Sequence, residues 1–190
     1  MFQIVFLPFA YVMDKWRWDV FDTPDLENHL NRHWWELRLK YQGLSPPAKR
    51  SEADFDPGAK YHIPAGVEYV RYFASHILQF QFFEHMCSYV NNVSDLYKCD
   101  FDGNKQAGES LIKMLKKGSS DTWQNILEDF IGSDKMSLGS LTKYFQPLEQ
   151  FLDHFIASHN ISVGWRANGE SVQVILYTIS LAYALQWTTT

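Results

Sequence analysis

Apolar residues recur around the whole circumference of the segment 2–22 rather than along one face. This pattern predicts a helix that is buried on all sides, as in the interior of a protein larger than this chain. Charged residues occur only in the second half of the segment, where Asp14, Lys15 and Arg17 stand among tryptophans. We expect these charges to form ion pairs at the rim of a core.

A second helix is predicted to begin at Thr23, a natural N-cap residue that is followed by Pro24, and to end near Gln42. Gly43 comes next, as is typical of the left-handed residue that ends a helix. The following segment, 45–64, is interrupted by prolines at both ends and predicts a loop.

Helical periodicity predicts three further helices, at 66–90, 109–117 and 121–131. A last helix is predicted from Ser137 onward, and Pro147 is expected to kink it or to divide it in two. Strand signals are scarce along the whole chain. The predicted fold class is therefore mainly α.

The composition is that of a globular protein, with 46% hydrophobic and 21% charged residues. Aromatic residues make up 16% of the chain, which favours large buried rings or a deep cleft lined by aromatic side chains. The net charge of −5 argues against a nucleic-acid partner.

The cysteines, Cys87 and Cys99, are compatible with a reduced pair or with a disulfide. Two glycosylation acceptors, Asn92-Val-Ser and Asn160-Ile-Ser, favour the oxidising, extracellular alternative. Residues 171–190 contain no charged side chain and come close to the minimum length that spans a bilayer. The tail 167–190 therefore predicts association with a membrane, and the alternatives are a buried last helix or an aberrant tail.

Lys60, His62, Tyr69 and Tyr72 fall close together along the chain and straddle the start of one predicted helix. The ammonium of Lys60 and the phenol of Tyr69 suit a carboxylate, and the imidazole of His62 suits a polar amide. Tyr72 suits an oxyanion. These side chains together predict a site for an anionic, peptide-like ligand.

No metal site is predicted. The chain lacks an H-E-x-x-H motif, which is the zinc-binding signature of many peptidases. His29 and His33 have the spacing of a helical ligand pair, but Leu30 follows His29 where the general base of such a motif would stand. We expect these two histidines to be solvated side chains on a helix surface.

The chain resembles the carboxyl-terminal part of a catalytic domain of the angiotensin-converting enzyme family of zinc peptidyl-dipeptidases. The matching motifs are Phe6-Leu-Pro-Phe, Trp16-Arg-Trp, Trp34-Trp-x-Leu-Arg-Leu-Lys-Tyr-Gln-Gly, Phe55-Asp-Pro-Gly-Ala-Lys-Tyr-His-Ile-Pro, Tyr69-x-Arg-Tyr-Phe, Gln79-Phe-Gln-Phe and Lys98-Cys-Asp. The resemblance implies that residues 1–166 are an incomplete, mainly α portion of that peptidase fold.

The resemblance also implies roles for individual residues. Lys60 and Tyr69 would grip the terminal carboxylate of a peptide substrate, His62 would bind its backbone, and Tyr72 would stabilise the oxyanion of the tetrahedral intermediate. The remaining assignments are a pocket for the last substrate side chain (Phe6, Phe9), chloride binding (Trp34, Arg38, Arg71) and a disulfide (Cys87 with Cys99).

The function implied is that of a fragment of a zinc metallopeptidase that releases dipeptides from peptides with a free terminal carboxylate. Zinc and chloride would serve the full-length enzyme, whose zinc ligands lie upstream of this segment, so we expect the chain alone to be inactive. The alternative is a non-catalytic, membrane-tethered module that binds peptides or other partners. Either function implies an extracellular or cell-surface location.

Overall fold

A computed structural model describes residues 2–165 of the chain. These residues form α-helices and short 3-10 helices and contain no strand, which confirms the mainly α class. The α-helices are α1 (Phe2–Asp22), α2 (Leu30–Gln42), α3 (Val70–Cys87), α4 (Lys105–Leu115), α5 (Trp123–Ile131) and α6 (Gly139–His159). The 3-10 helices are Leu26–Asn28, Asp56–Ala59 and Leu96–Lys98. Two compact units are formed, whose described parts are residues 2–73 with 151–165, and residues 74–150.

Helix α1 supplies the centre of the first unit. Its residues Ala10, Val12 and Met13 are fully buried, and they pack in one cluster with side chains of α2 and of the segment before α3. The helix is not enclosed everywhere, however, because 83% of the Phe21 side chain is exposed. The prediction that this helix is buried on all sides is therefore confirmed only in part among the described residues.

The charged residues of α1 form the predicted ion pairs, Lys15 with Asp19 and Arg17 with Asp14. The expected position of Asp14 at the rim of the core is wrong, since only 1% of this residue is exposed. Its carboxylate accepts hydrogen bonds from the backbone N–H groups of Tyr69 and Val70, at 2.7 and 2.5 Å. These bonds provide the polar partners that a buried charge requires.

The predicted start of α2 at Thr23 is wrong, because the helix begins at Leu30. Asp25 adopts a left-handed backbone with φ of 63°, which interrupts the helical path between α1 and α2. The free N–H groups at the start of α2 are instead bound by a distant side chain: Glu52 accepts from the N–H groups of Asn31 and Arg32, at 2.9 and 3.0 Å.

The predicted end of α2 is confirmed. Gly43 follows the helix with φ of +66°, and its N–H donates to the carbonyl of Leu39. A side chain is excluded there for a second reason, since a Cβ atom on Gly43 would lie 2.8 Å from the ring of Trp165. Glycine therefore permits both the turn and the close approach of Trp165.

Helix boundaries in the second unit also differ from prediction. Helix α4 begins at Lys105 rather than at 109, because Asn104 caps it by accepting from the N–H of Ala107. Helix α5 begins at Trp123 rather than at 121, with Thr122 as its cap. Helix α6 continues through Pro147 and is not divided there. The predicted bond between Cys87 and Cys99 is present and joins the end of α3 to the segment that follows it.

Candidate functional site

Four polar side chains surround one another in the first unit, at the point where α3 begins. The ammonium of Lys60 lies 5.1 Å from the centre of the Tyr69 ring. The His62 ring stands edge-on to Tyr69 and to Tyr72, with centroid distances of 4.8 and 5.5 Å. The phenol oxygen of Tyr72 is 3.3 Å from Nε2 of His62. The structure thus brings together the predicted substrate-binding residues and Tyr72.

Aromatic side chains from α1 form the apolar side of this cluster. The rings of Phe6 and Phe9 lie 6.1 and 5.8 Å from that of Tyr69, and 6.4 Å from each other. Tyr69 itself is 5% exposed, whereas Tyr72 is 39% exposed. The cluster therefore offers an apolar wall beside a partly open group of hydrogen-bonding side chains, as ligand sites commonly do.

The two ring nitrogens of His62 differ in their contacts. Its Nε2 contacts the Tyr72 phenol, whereas Nδ1 is buried and forms no hydrogen bond within the described residues. Buried polar atoms in folded proteins nearly always find a partner. An amide group of a bound peptide would provide one for Nδ1.

The loop before α3 holds Lys60 and His62 in place through its own backbone. Lys60 closes the 3-10 helix Asp56–Ala59 by donating its N–H to the carbonyl of Pro57. The carbonyl of His62 then accepts from the N–H of Val67, at 2.9 Å. These turns leave the two side chains on the side of the loop that faces Tyr69.

Arg38 of α2 is a candidate anion site. Its guanidinium carbon lies 5.4 Å from the centres of both the Phe9 and Trp34 rings. Nε of Arg38 is buried and has no hydrogen-bond partner within the described residues, and burial lowers the pKa of this guanidinium. Because an uncompensated charge is costly in such a place, Arg38 and Trp34 fit a small anion such as chloride.

Arg71 differs from Arg38 in its surroundings. It is exposed and forms an ion pair with Glu68, which lies three residues earlier at the surface. The carboxylate of Glu68 therefore stands where an anion bound to Arg71 would be expected.

Residues 2–165 contain no group of three or more histidine, cysteine, aspartate or glutamate side chains that could hold a metal ion. His29 is exposed as expected but precedes α2 and has a non-helical backbone, whereas the expectation of a solvated His33 is wrong, because this side chain is part-buried. Nε2 of His33 is 2.8 Å from the carboxylate of Asp19. The described residues thus do not fit a zinc ion.

Sequence reasoning missed the residues that support the site, chiefly Asp14 and Asp56. Asp14 binds the backbone at the start of α3, and Asp56 binds side chains of α2. Their partners are distant in sequence, so no local pattern reveals them. The one available signal is their charge: each aspartate stands among aromatic or apolar neighbours, where a carboxylate needs a partner.

None of the helices in the described part of the chain is both long enough and apolar enough to cross a membrane. The apolar tail 167–190, which predicted membrane association, lies outside the described residues. Both predicted glycosylation acceptors are described and exposed, and Asn92 and Asn160 each adopt a left-handed backbone, with φ of 62° and 49°.

Comparison with known proteins gives one consistent family. A profile of the angiotensin-converting enzyme family matches residues 1–165. Angiotensin-converting enzyme of Rattus norvegicus is 45% identical over 163 residues, which is 86% of this chain and 12% of the rat protein. The enzyme of Theromyzon tessulatum is 47% identical over 146 residues, 77% of this chain and 24% of that protein. Angiotensin-converting enzyme-like protein Ace3 of Mus musculus is 44% identical over 163 residues, 86% of this chain and 22% of the mouse protein.

Proposed function

The chain belongs to the angiotensin-converting enzyme family, and from that premise we propose that residues 1–166 are the carboxyl-terminal part of a zinc peptidyl-dipeptidase catalytic domain. The chain spans between about an eighth and a quarter of the length of the relatives described above. The function proposed for this part is to bind the carboxyl end of a peptide and to stabilise the charge that develops on the scissile carbonyl. Zinc would be supplied with its ligands by the rest of such a domain.

One observation carries this proposal: Lys60, His62 and Tyr72 converge on Tyr69, beside the rings of Phe6 and Phe9. A charged ammonium near a phenol suits a terminal carboxylate, and the two phenylalanine rings suit an apolar side chain next to it. Nδ1 of His62 has no hydrogen-bond partner among residues 2–165, and a peptide amide would provide one. The phenol of Tyr72 is exposed enough to meet an oxyanion.

We further propose that Arg38 and Trp34 bind chloride when the domain is complete. The support is the buried Nε of Arg38, which has no hydrogen-bond partner in the described part of the chain, and the two aromatic rings beside its guanidinium. Bound chloride would supply a negative charge that compensates this cation. Arg71, assigned to chloride by resemblance, would have to release Glu68 before it could hold an anion.

Lys60→Ala is expected to remove most of the preference of the chain for a peptide acid over the matching amide. A hydrogen bond to a charged group contributes about 1.5–3 kcal/mol, so the acid should lose roughly ten- to a hundredfold in affinity while the amide changes little. The measurement is an NMR titration of the full chain with N-acetyl-Phe-Leu and with its terminal amide.

Lys40→Ala is the matched control for this experiment. Nζ of Lys40 lies 5.1 Å from the Tyr41 ring, so the same kind of contact is removed from an exposed position on α2. This variant should keep the preference for the acid. Equal losses for acid and amide in Lys60→Ala would remove Lys60 from carboxylate binding. If the chain binds the acid, but a complete peptidase domain that contains residues 1–165 hydrolyses no peptide, the non-catalytic alternative is favoured.

We propose an extracellular or cell-surface location, supported by the disulfide and by the exposure of both glycosylation acceptors. Expressed in secretory cells behind a supplied signal peptide, the chain should carry a glycan on Asn92. Asn92→Gln should then lower the apparent mass by about one glycan, as seen by comparison before and after enzymatic deglycosylation. Asn91→Gln, which changes an exposed neighbour outside the acceptor, should not. An unglycosylated secreted chain would contradict the assignment.

A further inference from the structure

Asp56 is the centre of a hydrogen-bond network that joins α2 to the loop carrying Lys60. Its Oδ2 atom accepts from Nε1 of Trp35 at 2.8 Å and from Nδ2 of Asn31 at 3.1 Å. The same oxygen lies 3.1 Å from Nε of Arg50. In return, the backbone N–H of Asp56 donates to Oδ1 of Asn31 at 2.8 Å.

Asn31 extends this network to a second point of the loop. Only 1% of the residue is exposed, and its amide also donates to the carbonyl of Ser51 at 3.1 Å. The amide group of Asn31 thus bridges both ends of the segment 51–56. Burial, the largest influence, raises the pKa of Asp56, but the hydrogen bonds from Trp35 and Asn31 and the charge of Arg50 outweigh it and lower that pKa overall. The carboxylate is therefore ionised near neutral pH, as expected of a group that accepts two side-chain hydrogen bonds and pairs with a cation.

The residues after Asp56 connect it to Lys60 through a short 3-10 helix with restricted backbone freedom. Pro57 is fully buried and has a restricted φ, which limits the freedom of the next turn. Gly58 packs against Phe55, whose ring would lie 2.5 Å from a Cβ atom at Gly58. Lys60 follows as the residue that ends this 3-10 helix. Asp56 and Lys60 are thus joined directly by the 3-10 helix Asp56–Ala59.

We propose that Asp56 is the positioning residue of this site: its anchorage to Asn31, Trp35 and Arg50 fixes Lys60 and His62 against Tyr69 and Tyr72. Asp56 need not touch a ligand in this role. The functional meaning of the inference rests on the proposed carboxylate-binding function, whereas the geometric part can be tested without any ligand.

The geometric test compares Asp56→Ala with Asp54→Ala in the full chain. Asp54 is a matched control, because it belongs to the same loop but, among residues 2–165, its side chain accepts only from the N–H and hydroxyl groups of Ser51. In Asp56→Ala, the nuclear Overhauser contacts between the His62 and Tyr72 rings should disappear. Amide exchange at Lys60 and Ile63 should quicken about tenfold or more, because their hydrogen bonds open with the loop. Asp54→Ala should change neither.

Exchange at Met13, in the centre of the core, separates positioning from general stability, and it should stay unchanged in both variants. The inference is overturned if Asp56→Ala keeps the His62–Tyr72 contacts, or if Met13 loses protection as much as Lys60 does. Should Asp56→Ala fail to fold, Asp56→Asn keeps the shape and one acceptor oxygen but loses the ion pair with Arg50, and it should show the same local effects to a smaller extent. If that variant also fails to fold, Asp56 is a folding residue and the positioning role is wrong.

A binding measurement distinguishes this inference from the proposed function. Asp56→Ala should lower the preference for N-acetyl-Phe-Leu over its amide about tenfold or more, in the same direction as Lys60→Ala, because Lys60 no longer stands near Tyr69. If Lys60→Ala leaves that preference unchanged, the carboxylate-binding function fails. The His62–Tyr72 ring contacts in Asp56→Ala then still test whether Asp56 positions the loop. If Lys60→Ala removes the preference and Asp56→Ala does not, the positioning role fails alone.

Discussion

Tyr72→Phe is expected to lower kcat about a hundredfold or more in a complete peptidase domain whose carboxyl-terminal part is this chain. The phenol of Tyr72 is proposed to donate to an oxyanion that exists only in the transition state and its neighbouring intermediate. Its loss should therefore lower kcat and kcat/KM together and leave KM nearly unchanged. The ring remains in the phenylalanine variant, so its packing against Tyr69 and His62 is kept.

The measurement is steady-state hydrolysis of an N-blocked tripeptide by a domain that carries residues 1–165 of this chain. Tyr61→Phe is the matched control: this neighbouring tyrosine is 72% exposed, and its ring lies 5.9 Å from that of His62. It should leave kcat within about twofold of the parent value, as expected for a surface substitution. A raised KM with unchanged kcat in Tyr72→Phe would instead assign this phenol to ground-state binding.

Local chemistry was enough to predict most of the fold. The apolar residues around the whole circumference of α1 predicted that helix, and the glycine after α2 predicted where α2 ends; the structure contains both features. Errors arose where a distant residue sets a helix boundary. Helix α3 begins at Val70 rather than at 66, because Asp14, on another helix, binds the N–H groups at that point. Glu52 similarly sets the start of α2 from the loop. Contacts of this kind cannot be found from periodicity.

The candidate site likewise has a part that the sequence predicted and a part that it did not. Lys60, His62, Tyr69 and Tyr72 were predicted to act together because they are close in sequence and chemically complementary, and the structure places them in contact. Their supports could not be predicted, because hydrogen-bond partners far apart in the chain leave no signature in one sequence. The clustering of the four side chains agrees with prediction, and their roles stay predictions.

Two buried or half-buried aspartates support the site from different sides. Asp56 ties the loop of Lys60 and His62 to α2, and Asp14 ties the start of α3 to α1. The backbone that Asp14 binds is that of Tyr69 and Val70, and Tyr72 lies in the first turn of α3 just after it. The position of each half of the polar cluster thus depends on a carboxylate that is itself outside the cluster.

Asp14→Ala is expected to destabilise the chain by about 3–5 kcal/mol, the loss found when one partner of a buried charged pair is removed. Three donors would lose their acceptor at once: the N–H groups of Tyr69 and Val70, and the guanidinium of Arg17. A buried N–H without a partner costs about 1–3 kcal/mol by itself, which applies to the N–H of buried Tyr69, whereas that of the exposed Val70 should cost less. Asp14→Asn keeps one oxygen acceptor and should lose less.

Urea unfolding followed by tryptophan fluorescence measures this loss of unfolding free energy. Trp16 is a suitable probe, because it lies on the same helix as Asp14 and is buried in the core. Asp22→Ala is the control, because Asp22 ends α1 at an exposed position and should change the free energy of unfolding by less than about 0.5 kcal/mol. The loss in Asp14→Ala should be accompanied by faster amide exchange at Tyr69 and Val70, whose N–H groups are released. Equal stability of the two alanine variants would mean that water replaces the carboxylate, and Asp14 would then not be the anchor that sets the start of α3.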